Sequence, residues 1–266
     1  MLEFFDVRHS DGIERRSFDL EVDGETVPGV LWTPEGARGP RPLILMGHGG
    51  SQHKKTAGIV ARATTYARRH GWATLAIDAP EHGDRITREQ AEAYQQMVGA
   101  RVRGETAIAW SEDDMRRMNA RHLRAVPEWN AALAAVQALD FIGASEPVGY
   151  WGVSMGTAIG VPFLAQQPKV TAAVLGLLGL RAGFTGIEEA ARRITIPVEF
   201  VFQWDDAVAS REGGLALFNA LGSSEKTLHV NPGGHMGIPN FEADSWELFF
   251  VRHLVERRAA GVVQAA

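Results

Sequence analysis

The run VGYWGVSMG at residues 148–156 decides how this chain is read. Residues 148–152 are short, apolar and rich in strand formers, as in a strand buried on both faces, and a helix-like segment follows at 155–165. Ser154 therefore stands on a strand-to-helix corner. A side chain placed there needs strained backbone angles, and Gly152 and Gly156, two positions away on either side, keep so sharp a turn free of clashes. The hydroxyl is left exposed at the C-terminal edge of a sheet. The alternative is a glycine-rich strand end packed on a helix, with no chemistry attached.

Outward from that corner the same alternation recurs. Dense apolar runs at 42–47, 72–78, 170–178 and 196–203 read as buried strands, and 226–230 as a shorter one. Helix-like segments lie at 56–70, at 127–143 with Pro127 in its first turn, at 210–221 and at 242–258. Ahead of them, RRSFDLEVDGETVPGVLWTPEG alternates apolar and polar residues around Asp23 and Gly24, the mark of an antiparallel hairpin and the expected least buried part of the sheet. The expected class is α/β: a mostly parallel sheet of about eight strands, helices on both faces, in a single domain over 1–266. A frayed tail is expected at 259–266.

Residues 84–126 break the alternation. Fifteen of these 43 positions are charged, with Tyr94, Met97, Trp110, Met115 and Met118 among them, where a plain crossover needs fewer residues. We expect a helical lid or cap over the sheet; a solvated helical hairpin remote from any ligand is the alternative.

Composition removes several classes of function. The 32 acidic against 27 basic residues give a net charge of −5, which exerts no global pull on nucleic acid. With no cysteine there is no disulfide framework, thiolate metal site or cysteine nucleophile. The start of the chain lacks a basic region followed by an apolar run, so a cytoplasmic location is expected. Residues 147–168 are uncharged for long enough to cross a bilayer, but three prolines, four glycines and two glutamines divide them into strand, turn and helix, and no membrane span is expected.

A hydroxyl is a poor nucleophile at neutral pH, so a reactive Ser154 needs a base, and the base an orienting carboxylate. In a sheet with this corner they follow in the order serine, acid, histidine. The acid falls at Asp205 or Asp206, just after the strand at 196–203, and the base at His235, in a loop that Gly233 and Gly234 make flexible. Both sit after strands, where a sheet-edge site needs them. Two backbone amides must then hold the negative oxygen of a tetrahedral intermediate. Gly50, in the glycine-rich run after the strand at 42–47, and Met155, next to the serine, are placed to supply them. His48 reads as a support for that loop. No phosphate-binding lysine motif follows the glycines. A metal site from Glu81, His82 and Asp84 would crowd its ligands within one loop, so neither metal nor cofactor is expected. Trp204, beside the acid pair, and Trp110 and Met115 in the lid are candidate substrate contacts.

On HGG at 48–50, DAPEHGDR at 78–85, GVSMG at 152–156, the aspartate pair and GGH at 233–235, the chain resembles the α/β-hydrolase superfamily, in its compact esterase and dienelactone-hydrolase-like branch, over about 42–254. The resemblance implies Ser154 as nucleophile, His235 as general base and Asp206 as orienting acid. It departs at Gln203, where relatives place a glycine, and at Ala209; the spacing still favours Asp206 over Asp205. It also implies that Asp84 and Arg85 form an ion pair anchoring the lid. The expected activity is hydrolysis of carboxylic esters of small to medium, mostly apolar or aromatic substrates through an acyl-enzyme, the only partner being the small-molecule ester, in a monomer or homodimer. Thioester or lactone cleavage and acyl transfer use the same groups, and a non-catalytic ligand-binding homologue is the reading of another class.

Overall fold

The computed structural model describes residues 2–102, 105 and 111–256. Nine strands form one sheet: β1 (Asp6–Ser10), β2 (Ile13–Val22), β3 (Glu25–Pro34), β4 (Leu43–Gly47), β5 (Ala73–Ile77), β6 (Val148–Val153), β7 (Val170–Gly176), β8 (Val198–Gln203) and β9 (Lys226–Asn231), in the spatial order β1-β2-β3-β5-β4-β6-β7-β8-β9. Pairings from β5 to β9 are parallel; those joining β1, β2, β3 and β5 are antiparallel. The chain turns from β2 to β3 at Asp23 and Gly24, both with positive φ, as a two-residue hairpin turn requires.

Strand periodicity divides the core into two layers. Along β4, Leu43 and Leu45 pack on one face while Ile44 and Met46 pack on the other; along β6, Tyr150 and Trp151 part in the same way. The first face is covered by α3 (Glu112–Gln137), α4 (Met155–Leu164), α5 (Ile187–Arg193) and α6 (Arg211–Ala220). The second is covered by α1 (Ala57–His70) and α7 (Phe241–Phe250), through Ile59, Tyr66, Trp246 and Phe250. Helices do lie on both faces.

Three expectations about elements change. The hairpin is not the least buried part of the sheet. β3 is buried from Val27 to Thr33 because it lies between β2 and β5, and Phe18 of β2 covers Gly29 so closely that a Cβ there would meet its ring at 2.2 Å. The exposed edge is β1. The helix expected at 127–143 instead begins at Ser111, whose hydroxyl accepts from Asp114 N–H while the Asp114 carboxylate accepts from Ser111 N–H, a capping box. Pro127 sits inside it. A proline there costs ~3 kcal/mol in an exposed helix, but Trp129, Ala132, Leu133 and Val136 are buried beyond it and hold the helix together. The last helix passes into a π-helical turn, Val251–Glu256. α5 had no counterpart in the sequence pattern, and the tail at 259–266 lies outside the described residues.

The segment after β5 holds α2 (Arg88–Val102) and, from Glu112, the first turns of α3. Asp84 and Arg85 do not pair with each other. Asp84 meets Lys54 at 2.5 Å, and Lys54 also meets the fully buried Asp78 carboxylate at 2.5 Å. Asp78 further accepts from the Lys54 and Asp84 backbone amides. Arg85 instead reaches Glu128 of α3 at 2.9 Å, both side chains being buried. The two neighbours point apart because Gly83, at φ +57°, lets the chain curl over Asp78, with a Cβ-to-carboxyl distance of 2.2 Å that only glycine tolerates. Lys54 thus joins the loop after β4 to the loop after β5. Lys54→Met leaves the Asp78 carboxylate buried without its cation and should destabilise the protein by ~3–5 kcal/mol, read as a lowered urea midpoint.

Candidate active site

β6 ends against the turn that starts α4, and Ser154 occupies that corner at φ 58°, ψ −116°. Such a backbone costs of order 1–3 kcal/mol in a residue other than glycine and persists only where its surroundings impose it. Here they do. Ser154 N–H donates to Gly176 O at 2.9 Å, and the Thr157 hydroxyl lies within 2.8 Å of the Gly152 and Gly176 carbonyls while accepting from Gly176 N–H. A Cβ on Gly156 would stand 2.6 Å from Gly47 O, so the corner is pressed directly on the end of β4.

Three elements bring their side chains to this corner. His235, in the loop between β9 and α7, places Nε2 2.9 Å from Ser154 Oγ and Nδ1 2.7 Å from Asp206 Oδ2. A proton on Nδ1 satisfies both contacts and leaves Nε2 free to accept from the serine. The Asp206 side chain is fully buried, and its other oxygen accepts from Val208 N–H at 2.7 Å and Ala209 N–H at 3.0 Å. The neighbouring Asp205 points elsewhere: its carboxylate accepts from Gly233 N–H at 3.0 Å and its own amide donates to Gly233 O, tying down the foot of the histidine loop. Gln203 is buried below the same loop, its amide 3.4 Å from Pro232 O and 3.5 Å from Gly234 O.

The glycine-rich loop after β4 is held by His48. Its Nε2 accepts from Ala79 N–H, so Nδ1–H donates to Gly49 O. Burial, then the neighbouring His82, pushes the His48 pKa down to about 4. Gly49 N–H donates to Gln52. The amides of Gly50 and Met155 have no protein acceptor among the described residues, and both residues line the cavity that holds Ser154.

That cavity has a volume of about 460 Å³. On the α3 side it is lined by Met115, Met118 and His122, with Phe184 and Leu178 nearby; on the α1 side by Thr56, Gly58, Arg62, Trp151 and Trp246. Tyr94 and Val98 of α2 also line it, with the Tyr94 hydroxyl beside Gly50. His122 is buried with Nδ1 unpartnered, and burial lowers its pKa to about 3. Of the expected substrate contacts, Met115 lines the cavity. Trp204 does not: it is 46% exposed, with the Arg211 guanidinium 3.9 Å over its ring. Trp110 lies outside the described residues. Arg62, His122, Trp151 and Trp246 escaped the sequence reading, since nothing local distinguishes them from core or surface residues.

Glu81, His82 and Asp84 do not gather round a common point: Glu81 pairs with Arg121 and Asp84 with Lys54. Glu199, His229 and Glu242 do converge, their ligand atoms within 4.8 Å of one another, but none of them lines the cavity.

No family model matches the chain, and no curated protein does. Solved structures do match. A cold-adapted esterase from an Arctic intertidal metagenomic library, in a PEG-bound complex, is 34% identical, with 95% of this chain and 99% of that one covered at a TM-score of 0.75. The acetyl xylan esterase from Paenibacillus sp. R4 is 16% identical over 96% of this chain and 88% of its own, at a TM-score of 0.73. Est1E from Butyrivibrio proteoclasticus, with ferulic acid bound, is 18% identical over 88% and 98%, at 0.64. The last two share the fold; the first, at its identity and nearly full coverage of both chains, shows that this protein belongs to the esterases of the α/β-hydrolase superfamily, enzymes that hydrolyse carboxylic ester bonds.

Proposed function

We propose that ester hydrolysis here runs through an acyl-enzyme on Ser154, with His235 as general base and acid and Asp206 as its orienting carboxylate. The observation that carries this reading is the unbroken row Ser154–His235–Asp206, at 2.9 and 2.7 Å. Ser154 Oγ attacks the acyl carbonyl as its proton passes to His235 Nε2. The imidazolium is stabilised by Asp206, whose charge two backbone amides hold in place. The carbonyl oxygen becomes an oxyanion facing the amides of Gly50 and Met155, each worth ~2.7–4 kcal/mol when preorganised. His235 then protonates the departing alcohol, and a water molecule attacks the acyl-enzyme with His235 as base.

The cavity volume suits a small to medium ester, and Met115, Met118, Phe184 and Leu178 make its α3 side suitable for an apolar or aromatic portion. We assign α2 and the start of α3 the part of a lid over it. Thioesters and lactones present the same carbonyl to the same serine.

Ser154→Ala should lower kcat for p-nitrophenyl esters by ~10⁴-fold or more and abolish labelling by an organophosphonate. Asp206→Asn should cost ~10⁴-fold, while Asp205→Asn stays within about tenfold; the reverse order would move the acid by one residue. A wild-type protein that neither turns over such esters nor takes the label would favour a non-catalytic ligand-binding role.

The cavity wall also carries a pH dependence of stability. His122 has an ordinary pKa of 6.5 and a folded value of about 3, so the unfolded chain binds its proton first. Stability is retained above pH 6.5 and falls as pH drops toward 3, by about 2 kcal/mol from this residue at pH 5. His122→Asn should flatten the decline in unfolding free energy between pH 7 and pH 5.

A further inference from the structure

The α1 side of the cavity carries a cation and helix amides with no protein acceptor, set against two indoles whose N–H groups are sealed from solvent. Arg62 of α1 lines it, with its guanidinium carbon 3.7 Å from the centre of the Trp151 ring and 5.4 Å from that of Trp246. Its Nε is buried without a partner, and among the described residues no carboxylate pairs with it. Trp151 and Trp246, 4% and 3% exposed, also have buried indole N–H groups with no acceptor. The N-terminus of α1 opens on the same space. This 14-residue helix has no acidic residue in its first turn, and the Thr56 side chain makes no capping bond. Its first bonded amides are those of Ile59 and Val60, leaving Ala57 and Gly58 N–H without a backbone acceptor. Thr56 and Gly58 both line the cavity.

This arrangement is costly without a counter-charge. Stacking on tryptophan compensates a desolvated guanidinium only in part, and a helix N-terminus adds further positive potential. Burial lowers the Arg62 pKa to about 10, which leaves it cationic at neutral pH. The protein as a whole carries more acidic than basic residues, yet among the described residues lining this cavity there is no aspartate or glutamate to face Arg62. A bound anion would supply the counter-charge that Arg62 lacks.

We propose that the α1 side of the cavity is a carboxylate subsite, so that the esters this enzyme prefers carry a free carboxylate held by Arg62 and the start of α1 while their acyl carbonyl faces Ser154. A guanidinium centred 3.7 Å over an indole ring keeps N–H groups for a planar, bidentate partner, which a carboxylate supplies, and unbonded first-turn amides are a general anion site. The apolar α3 side then takes the uncharged part of the substrate. This inference rests on Ser154 being the nucleophile.

The test compares each charged ester with its methyl-capped neutral counterpart: mono-4-nitrophenyl adipate for a carboxylate on the acyl side, and 4-acetoxybenzoate for one on the leaving alcohol. In the wild type, kcat/KM for the charged member should exceed that of the neutral one at least tenfold in one of the two pairs. Arg62→Gln should reduce that ratio tenfold or more. A ratio at or below one in both pairs, or one unchanged in Arg62→Gln, overturns the subsite. Titration calorimetry on the Ser154→Ala protein reads binding without turnover: adipate or benzoate should bind saturably and their methyl esters should not, and no difference between them also overturns it. Turnover of neutral esters without any preference for charge would remove the subsite and leave the Ser154 reading standing; ester turnover that survives Ser154→Ala would remove that reading.

Discussion

The structure depends on one strained residue. Ser154 sits in the left-handed region at the end of β6, and everything that makes its hydroxyl accessible follows from how the backbone around it is clamped. Gly156 lies on the carbonyl of Gly47, the Thr157 hydroxyl bridges the ends of β6 and β7, and the Ser154 amide is bonded to Gly176. Three strand ends thereby converge within hydrogen-bonding distance of one corner. A looser junction would relax Ser154 to ordinary angles and turn its side chain away from the sheet edge.

Around that corner the loops are held by polar groups rather than by apolar packing. Lys54 and Asp78 join the loop after β4 to the one after β5, His48 spans the same two loops through Ala79, and Asp205 and Gln203 grip the loop that carries His235. The bonds of Asp78 and His48 lie where water has been excluded, so they have geometric force, whereas the Asp205 bond to Gly233 is exposed. The α1 side of the cavity differs in kind: it places the Arg62 guanidinium and the first amides of α1 beside open space with no carboxylate among the described lining residues.

Much of this was legible locally. The strand at β6, the corner at Ser154, the strand positions before Asp206 and His235, and the hairpin turn at Asp23 and Gly24 follow from short-range rules: burial on two faces, glycine spacing and turn geometry. Longer-range features were not legible. The burial of β3 comes from having neighbours on both sides, and the run of α3 through Pro127 from packing beyond the proline. Asp84 and Arg85 are adjacent in sequence but part in space because Gly83 curls the chain over Asp78. Trp204 looked like a cavity residue only because it adjoins the acid; in a turn, adjacent side chains diverge, and it faces solvent under Arg211.

By itself the sequence determined which residue types could do chemistry and in what order they follow buried strands, because strand burial and glycine spacing are encoded within a few neighbouring positions. Only the tertiary structure brought Asp206, which the spacing favoured, to His235 and turned Asp205 away, and put an arginine on α1 in one cavity with the serine that follows β6. Those are distances between segments far apart along the chain, and they exist only once the sheet has brought its strand ends together.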